Sequence, residues 1–266
     1  MFSPLANWRH FLARQNEDRV KIFGVAFLVA LTSAVLVSVT SVTLKPLQEA
    51  HLEAERAARM AEMLDRLPGL RDVMADLGGD ALDTRLVNLD TGEFATDVDP
   101  NAFDPAAAAL DPETSVAIPS EVDVTRLGRR AKLAPVHLLE RDGELLLIVL
   151  PVSGKGYQST LRAMLALNAD LVTVSALVIT EQGETPGIGA RVEDPAWLDL
   201  WPGKEIVDAT GRIVISVVRG KATAPYEVDG ISGATVTSNG VSNMLRYWLG
   251  GHGFGPFLQR LRTEGL

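Results

Sequence analysis

Residues 22–44 run for 23 positions without a charge, IFGVAFLVALTSAVLVSVTSVTL, between Lys21 and Lys45-Pro46. At about 1.5 Å rise per residue, a helix of that length crosses a hydrocarbon layer roughly 30 Å thick, so the pattern predicts one membrane span. A cleaved signal peptide would carry a shorter apolar region, roughly 7–15 residues, ending in a small-residue cleavage site. Ahead of the span, Leu5, Trp8, Phe11 and Leu12 share a helical face among Arg9, Arg14 and Arg19, a pattern suited to a short helix at the membrane interface. Beyond it, Leu52, Met60, Met63, Leu64 and Leu67 recur among charges up to Pro68-Gly69 and predict a stalk helix.

Further along, the apolar positions shorten into strand-like runs. RLVNLD (85–90) and VHLLE (136–140) predict short strands, and ELLLIVLPV (144–152) a buried one by its apolar continuity. LVTVSALVIT (171–180) and RIVISVVRG (212–220) are rich in β-branched residues and predict two more. LRAMLALN (161–168) reads as helix. Val241, Met244, Leu245, Trp248 and Leu249 repeat at three and four, a helix stopped by Gly250-Gly251. The expected architecture is an α+β domain behind one membrane helix: 1–21 a cytoplasmic segment, 22–44 the span, 45–68 the stalk and 69–266 the domain.

Charge refines this picture. The net charge is −9, and residues 86–125 hold nine Asp and Glu with no Lys or Arg, interrupted by Pro100, Pro105, Pro112 and Pro119. The tract predicts a solvated, loop-rich region, and nucleic acid is an unfavourable partner for such a chain. Near the span, Arg9, Arg14, Arg19 and Lys21 on the amino side outnumber Lys45, Arg56 and Arg59 on the other, which favours a cytoplasmic amino terminus and an exported domain. There is no cysteine, which excludes thiolate metal centres, a cysteinyl flavin link and disulfides. The four histidines are scattered singly, so no metal site is expected.

Three short motifs carry candidate chemistry. GKGYQS (154–159) follows a strand, and with Glu181 further on it has the outline of a dinucleotide-binding unit, but Ser159 stands where the third glycine is needed. QGETPGIGAR (182–191) places Pro186 and Gly187 at the centre of a type II turn. It is either a plain turn or a loop where glycines let the backbone approach a flat ligand, with Glu184 and Thr185 offering hydrogen bonds and Ile188 an apolar surface. DGISGATVTS (229–238) puts hydroxyls and little bulk at the mouth of a helix. That composition fits an ordinary helix cap, or a seat for a phosphorylated ligand drawn by free N–H groups and the positive helix end.

The tail DGISGATVTSNGVSNMLRYWLGGHGFGPFLQRLRTEG resembles the carboxyl end of the C subunits of the sodium-translocating NADH:quinone reductases. ETPGIGARVEDPAWLDLWPGK, PVSGKGYQST and the single amino-terminal span resemble that family as well, so the likeness covers most of the chain. A related protein, the G subunit of the Rnf electron-transfer complex, shares the anchor, the ETPG loop and SGAT, while the WLGGHGFGPFLQRLR ending favours the sodium-pumping enzyme. The sequence departs from the family pattern at Lys155, Tyr157 and Gln158 and at Ala190-Arg191, which bears on the outer flavin contacts.

The resemblance implies a membrane-bound flavoprotein, an electron-transfer subunit of a translocase with no catalytic residue of its own. FMN is expected as a phosphoester on Thr235, with Ser232, Gly233 and Ala234 shaping the loop around the phosphate. Glu184, Thr185, Pro186, Gly187 and Ile188 are expected to touch the flavin, and Gly154, Gly156 and Tyr157 to close its other side. The family further implies partner subunits carrying the NADH, iron–sulfur and quinone sites, and a flavin transferase that moves FMN from FAD onto the threonine. The setting is the bacterial inner membrane, the domain facing the periplasm. The competing readings are an Rnf-type electron-transport protein and a flavin-free anchored binding or structural domain.

Overall fold

The computed structural model describes residues 13, 18–19, 21–39, 45, 82–100 and 102–266. The interfacial helix and the stalk expected from the sequence lie outside the described residues. The chain divides into two compact units, Met1–Ala57 and Ala58–Leu266. In the first, Lys21–Val39 forms one helix (α1), long and apolar enough to cross a membrane. Its Phe23, Phe27, Leu36 and Val37 are exposed. The hydroxyl of Thr32 donates to the Leu28 carbonyl at 2.7 Å, so this polar group is satisfied within the helix. Residues 40–44, the rest of the expected span, lie outside the described residues.

The second unit is built on a six-stranded antiparallel sheet in the order β2-β1-β5-β6-β7-β8. Its strands are β1 (Leu82–Asn88), β2 (Phe94–Ala95), β5 (Leu133–Arg141), β6 (Glu144–Lys155), β7 (Thr160–Asn168) and β8 (Val174–Glu181). Two small pairs complete the strands: antiparallel β3 (Ser115–Ala117) with β4 (Arg129–Ala131), and parallel β9 (Ser216–Val218) with β10 (Glu227–Asp229). The helices are α2 (Pro105–Leu110), α3 (Pro195–Leu198), α4 (Thr235–Leu249) and α5 (Gly255–Glu264), with a 3-10 turn at Gly189–Glu193.

Segment 161–168 is a correction to the sequence reading. Leu, Ala and Met favour helix intrinsically, but the segment pairs along its length with β6 and β8, and its burial begins by alternating through Leu161, Arg162 and Ala163. Two ladders of backbone hydrogen bonds outweigh propensity differences of a few tenths of a kcal/mol per residue. With β6 and β7 forming an antiparallel hairpin, there is no crossover helix and hence no dinucleotide-binding βαβ unit at GKGYQS. The acidic tract is also less irregular than expected, since it contains α2, capped by the Asp104 carboxylate, and β3.

α4 lies against β6 and β9. Its Val241, Met244, Leu245 and Trp248 join Ile148, Leu150 and Val152 of β6 in the core. The helix comes close to the end of the β6–β7 hairpin: a methyl group at Gly240 would lie 2.6 Å from the Lys155 carbonyl oxygen, and one at Gly154 would lie 3.0 Å from Met244 Cβ. The Trp248 indole N–H donates to the Ser153 carbonyl at 2.7 Å, and Ser242 Oγ accepts the Val217 N–H at 2.9 Å. α4 is thereby fixed to the sheet on one side and to the β9–β10 pair on the other. Helix α5, which the sequence reading does not assign, packs on the β1–β2 hairpin through an edge-to-face contact of Phe257 with Phe94, centroids 5.3 Å apart.

Candidate functional site

The three motifs, spread over some eighty residues of sequence, meet at the start of α4. At the tip of the β6–β7 hairpin the Gly156 N–H closes the turn on the Ser159 carbonyl at 2.8 Å, and the next three N–H groups converge on one side chain. Tyr157, Gln158 and Ser159 donate their backbone N–H groups, each at 3.0 Å, to the carboxylate of Glu184. Ser159 Oγ donates to it as well, at 3.0 Å, and Thr237 Oγ1 at 2.6 Å. Three successive N–H groups form an anion nest of the kind that glycine-rich loops offer to phosphate. Here the anion is the protein's own.

Glu184 is therefore turned inward, only 4% exposed, with five donors on its two oxygens. Burial by itself raises its pKa, but the hydrogen bonds from Thr237 and from the N–H groups of Ser159, Tyr157 and Gln158 outweigh it and hold the carboxyl below its ordinary 4.5. Gly156 is buried against it, since a methyl there would lie 2.6 Å from Glu184 Oε1, and Gly189 packs between Glu184 and Thr237. Gly154 and Gly156 thus serve close packing behind the helix, while Tyr157 is 63% exposed.

The loop after β8 makes the expected turn. The Ile188 N–H donates to the Thr185 carbonyl at 3.1 Å across Pro186-Gly187, and Gly187 has φ +73, the left-handed conformation that a type II turn requires. Its outer residue, Ile188, is half exposed and reaches the SGAT loop, where a methyl at Gly233 would lie 3.7 Å from Ile188 Cγ2. Gly233 itself has φ +82, so this bend in the backbone favours glycine.

The helix start is not capped as its composition suggests. The residue at the cap position is Ala234, which has no side-chain hydrogen bond to offer, and the hydroxyls of Ser232 and Thr235 have no partner among the described residues. Thr237 is committed to Glu184 instead. The N–H groups of Thr235, Val236 and Thr237 at the first turn have no acceptor among the described residues. Ser232, Gly233 and Thr235 are exposed, while Ala234 is buried.

Beside this helix start lies an open cleft of about 450 Å³, within the range of roughly 300–1,000 Å³ common for small-molecule sites. Ser232, Gly233 and Thr235 line it, facing Val218, Arg219 and Gly220 at the end of β9, with Asn239 one turn along the helix. Arg219 is not singled out by the sequence reading; the available signal is a basic residue followed by glycine at the end of the predicted 212–220 strand. Its position is fixed by the parallel β9–β10 pair and by the Gly230 N–H donating to the Gly220 carbonyl at 3.0 Å. Asp229 Oδ1 accepts the Ala222 N–H at 2.7 Å and holds the loop that follows. Among the described residues there is no group of three or more His, Cys, Asp and Glu able to hold a metal ion.

A phosphate ester of FMN fits this arrangement. Uncapped N–H groups and a guanidinium offer positive potential, the exposed Thr235 hydroxyl offers an oxygen for an ester, and low side-chain bulk leaves room around it.

Comparison with known proteins shows the family. Residues 156–250, which span the hairpin tip, the ETPG loop and α4, match the FMN-binding domain family. The C subunit of the Na(+)-translocating NADH-quinone reductase of Pseudomonas aeruginosa is 39% identical over 256 residues, 93% of this chain and 97% of its own. That of Vibrio alginolyticus is 37% identical, covering 96% of this chain and all of its own. The crystal structure of Shewanella oneidensis NqrC superposes with a TM-score of 0.66 at 36% identity, over 73% of this chain and 88% of its own. Matched along almost its whole length by the Pseudomonas and Vibrio C subunits, and matching the FMN-binding domain family over residues 156–250, the chain belongs to the NqrC family, the C subunits of the Na(+)-translocating NADH-quinone reductases.

Proposed function

We propose that the chain is the membrane-anchored flavoprotein subunit of a sodium-translocating NADH:quinone reductase and carries FMN as a phosphoester on Thr235. The observation that carries the reading is the uncapped start of α4, where the Thr235 hydroxyl is exposed beside a cleft and free N–H groups. When bound, FMN supplies one-electron transfer, and the chain's own residues attach and seat it. Thr235 Oγ forms the bond to phosphorus as the pyrophosphate bond of FAD breaks, AMP leaves and the hydroxyl proton is lost, a step assisted by a separate flavin transferase. The N–H groups of the first turn and the guanidinium of Arg219 would hold the phosphodiester. Each such interaction at a helix terminus is worth about 0.3–1 kcal/mol when exposed. Gly233 gives the backbone its bend, and Ile188, packed near it, offers apolar surface beside the SGAT loop.

The other parts of the reaction belong to partner subunits holding the NADH, iron–sulfur and quinone sites. Covalent attachment suits a domain on the periplasmic side of the inner membrane, where a dissociated flavin is not readily replaced. The decisive experiment is co-expression of the full chain with a flavin transferase, followed by intact-mass measurement and in-gel fluorescence. The FMN mass increment and yellow fluorescence that survives denaturation are expected. A chain of unmodified mass after exposure to active transferase would reject the reading in favour of a flavin-free domain.

Two further outcomes follow. With the basic flank on the amino side of the span, a reporter fused after Leu266 is expected to be active only in the extracytoplasmic compartment. Cytoplasmic activity would reverse the proposed topology. At the ETPG turn, Gly187→Val places a β-branched residue at φ +73, a strain of roughly 1–3 kcal/mol, while its Cβ meets open space. The loop should shift Ile188, so the flavin absorption spectrum and reduction behaviour of the loaded variant should change; unchanged spectra in a folded variant would mark this segment as only a turn.

A further inference from the structure

Glu184 is the only buried acidic side chain among the described residues. Tying loops together does not require a charge, because neutral amides and hydroxyls do so without the desolvation cost of a carboxylate. The arrangement around Glu184 nevertheless favours the charged form: every contact is a donor, from three backbone N–H groups and two hydroxyls, and all point at the carboxylate oxygens.

The location of this charge gives it a consequence. Thr237, which donates to Glu184 Oε2, is the third residue of α4, and Thr235 is the first. The carboxylate therefore sits at the same helical turn as the proposed attachment point, behind it rather than in the cleft. There it opposes the positive end of the helix. Arg219 provides a charge of the other sign from across the cleft, but it is exposed, and water and salt screen it far more than they screen a buried group.

We infer that Glu184 sets the reduction potential of the flavin carried at Thr235, lowering it by placing a fixed negative charge beneath the cofactor's seat. The inference rests on the proposed attachment of FMN to Thr235. Adding an electron to the flavin adds negative charge, and a nearby anion in a poorly screened site makes that addition less favourable. A unit charge about 10 Å away, acting through an effective dielectric of about 20, changes such an equilibrium roughly tenfold.

The test is spectroelectrochemical titration of the full-length, flavinylated chain at constant pH, comparing the unmutated protein with Glu184→Gln and Thr237→Val. Glu184→Gln keeps the length and one acceptor oxygen but removes the charge. At a fixed applied potential, its ratio of reduced to oxidised flavin should rise roughly tenfold. Thr237→Val removes one hydrogen bond and a link to the helix while leaving the charge in place and stripping a neutralising dipole from it, so its ratio should fall. A loaded Glu184→Gln protein with an unchanged or lower ratio overturns the inference, as does a Thr237→Val protein whose ratio rises, since that would trace the effect to lost contacts. If Glu184→Gln does not fold, Thr237→Val decides alone: loss of the hydroxyl dipole from an unchanged charge should lower its ratio, and a ratio that stays level or rises overturns the inference. Absence of the FMN mass increment from the unmutated chain would instead strike the attachment reading on which the inference rests, so the two failures are distinguishable.

Discussion

Thr235→Val is expected to abolish covalent flavin and leave the fold intact. Valine matches threonine in shape and removes only the hydroxyl, and Thr235 is exposed with no hydrogen bond from its side chain among the described residues, so nothing in the packing depends on that oxygen. Its neighbours make informative controls. Thr237 is buried and engaged with Glu184, which removes it as an acceptor; Ser232 is exposed, but lies before the bend at Gly233 rather than on the helix. Thr237→Val and Ser232→Ala should therefore retain the FMN mass increment, with Ser232→Ala slower if the transferase reads that hydroxyl. The measurement is intact mass with in-gel fluorescence after co-expression. A Thr235→Val chain that still gains FMN would assign the ester to another residue.

Glu184→Ala should cost the domain about 3–5 kcal/mol, a large fraction of the 5–15 kcal/mol typical of a folded domain. The substitution leaves three N–H groups and two hydroxyls without their acceptor; a buried orphan such as the Thr237 hydroxyl costs about 1–3 kcal/mol, and water reaching the part-buried hairpin donors recovers part. Urea denaturation of the unmutated and variant chains at pH 7 measures it. The pH dependence has a definite sign: because the folded pKa lies below the ordinary 4.5, the carboxylate's contribution is fully present above that value and is lost as pH falls through 4.5 toward the folded pKa. The gap in stability between the two proteins should thus narrow on acidification below about pH 5. A gap that is constant, or that widens toward acid, would show that Glu184 is not held as the anion.

Much of the fold is legible in the sequence because its strands are long and buried. ELLLIVLPV and LVTVSALVIT could hardly be anything else, and the three-and-four spacing of Val241, Met244, Leu245 and Trp248 marks the helix that covers them. Segment 161–168 reads wrongly as helix because Leu, Ala and Met carry helix propensity, while what decides its state is a pair of neighbouring strands that no local window contains. The limits at the site are of the same kind. SGATVTS announces a helix start but not its geometry, since choosing Ala234 rather than a hydroxyl for the cap position follows from the left-handed bend at Gly233 and the capture of Thr237. Glu184 looks like a ligand contact from its own loop. Its partners lie 25 to 53 residues away, so its part as the filler of the hairpin nest is a tertiary property.

That nest has a bearing on how the protein is made. A loop that relied on a ligand's phosphate to satisfy its N–H groups would remain unsettled until the ligand arrived. With its own carboxylate already in place, the hairpin tip, the ETPG turn and the first turn of α4 can lock together during folding, before any flavin is present. On the proposed attachment, Thr235 is then presented on a finished surface, and biogenesis would acquire an order: the polypeptide settles first, and the transferase works on a native substrate rather than on a nascent one.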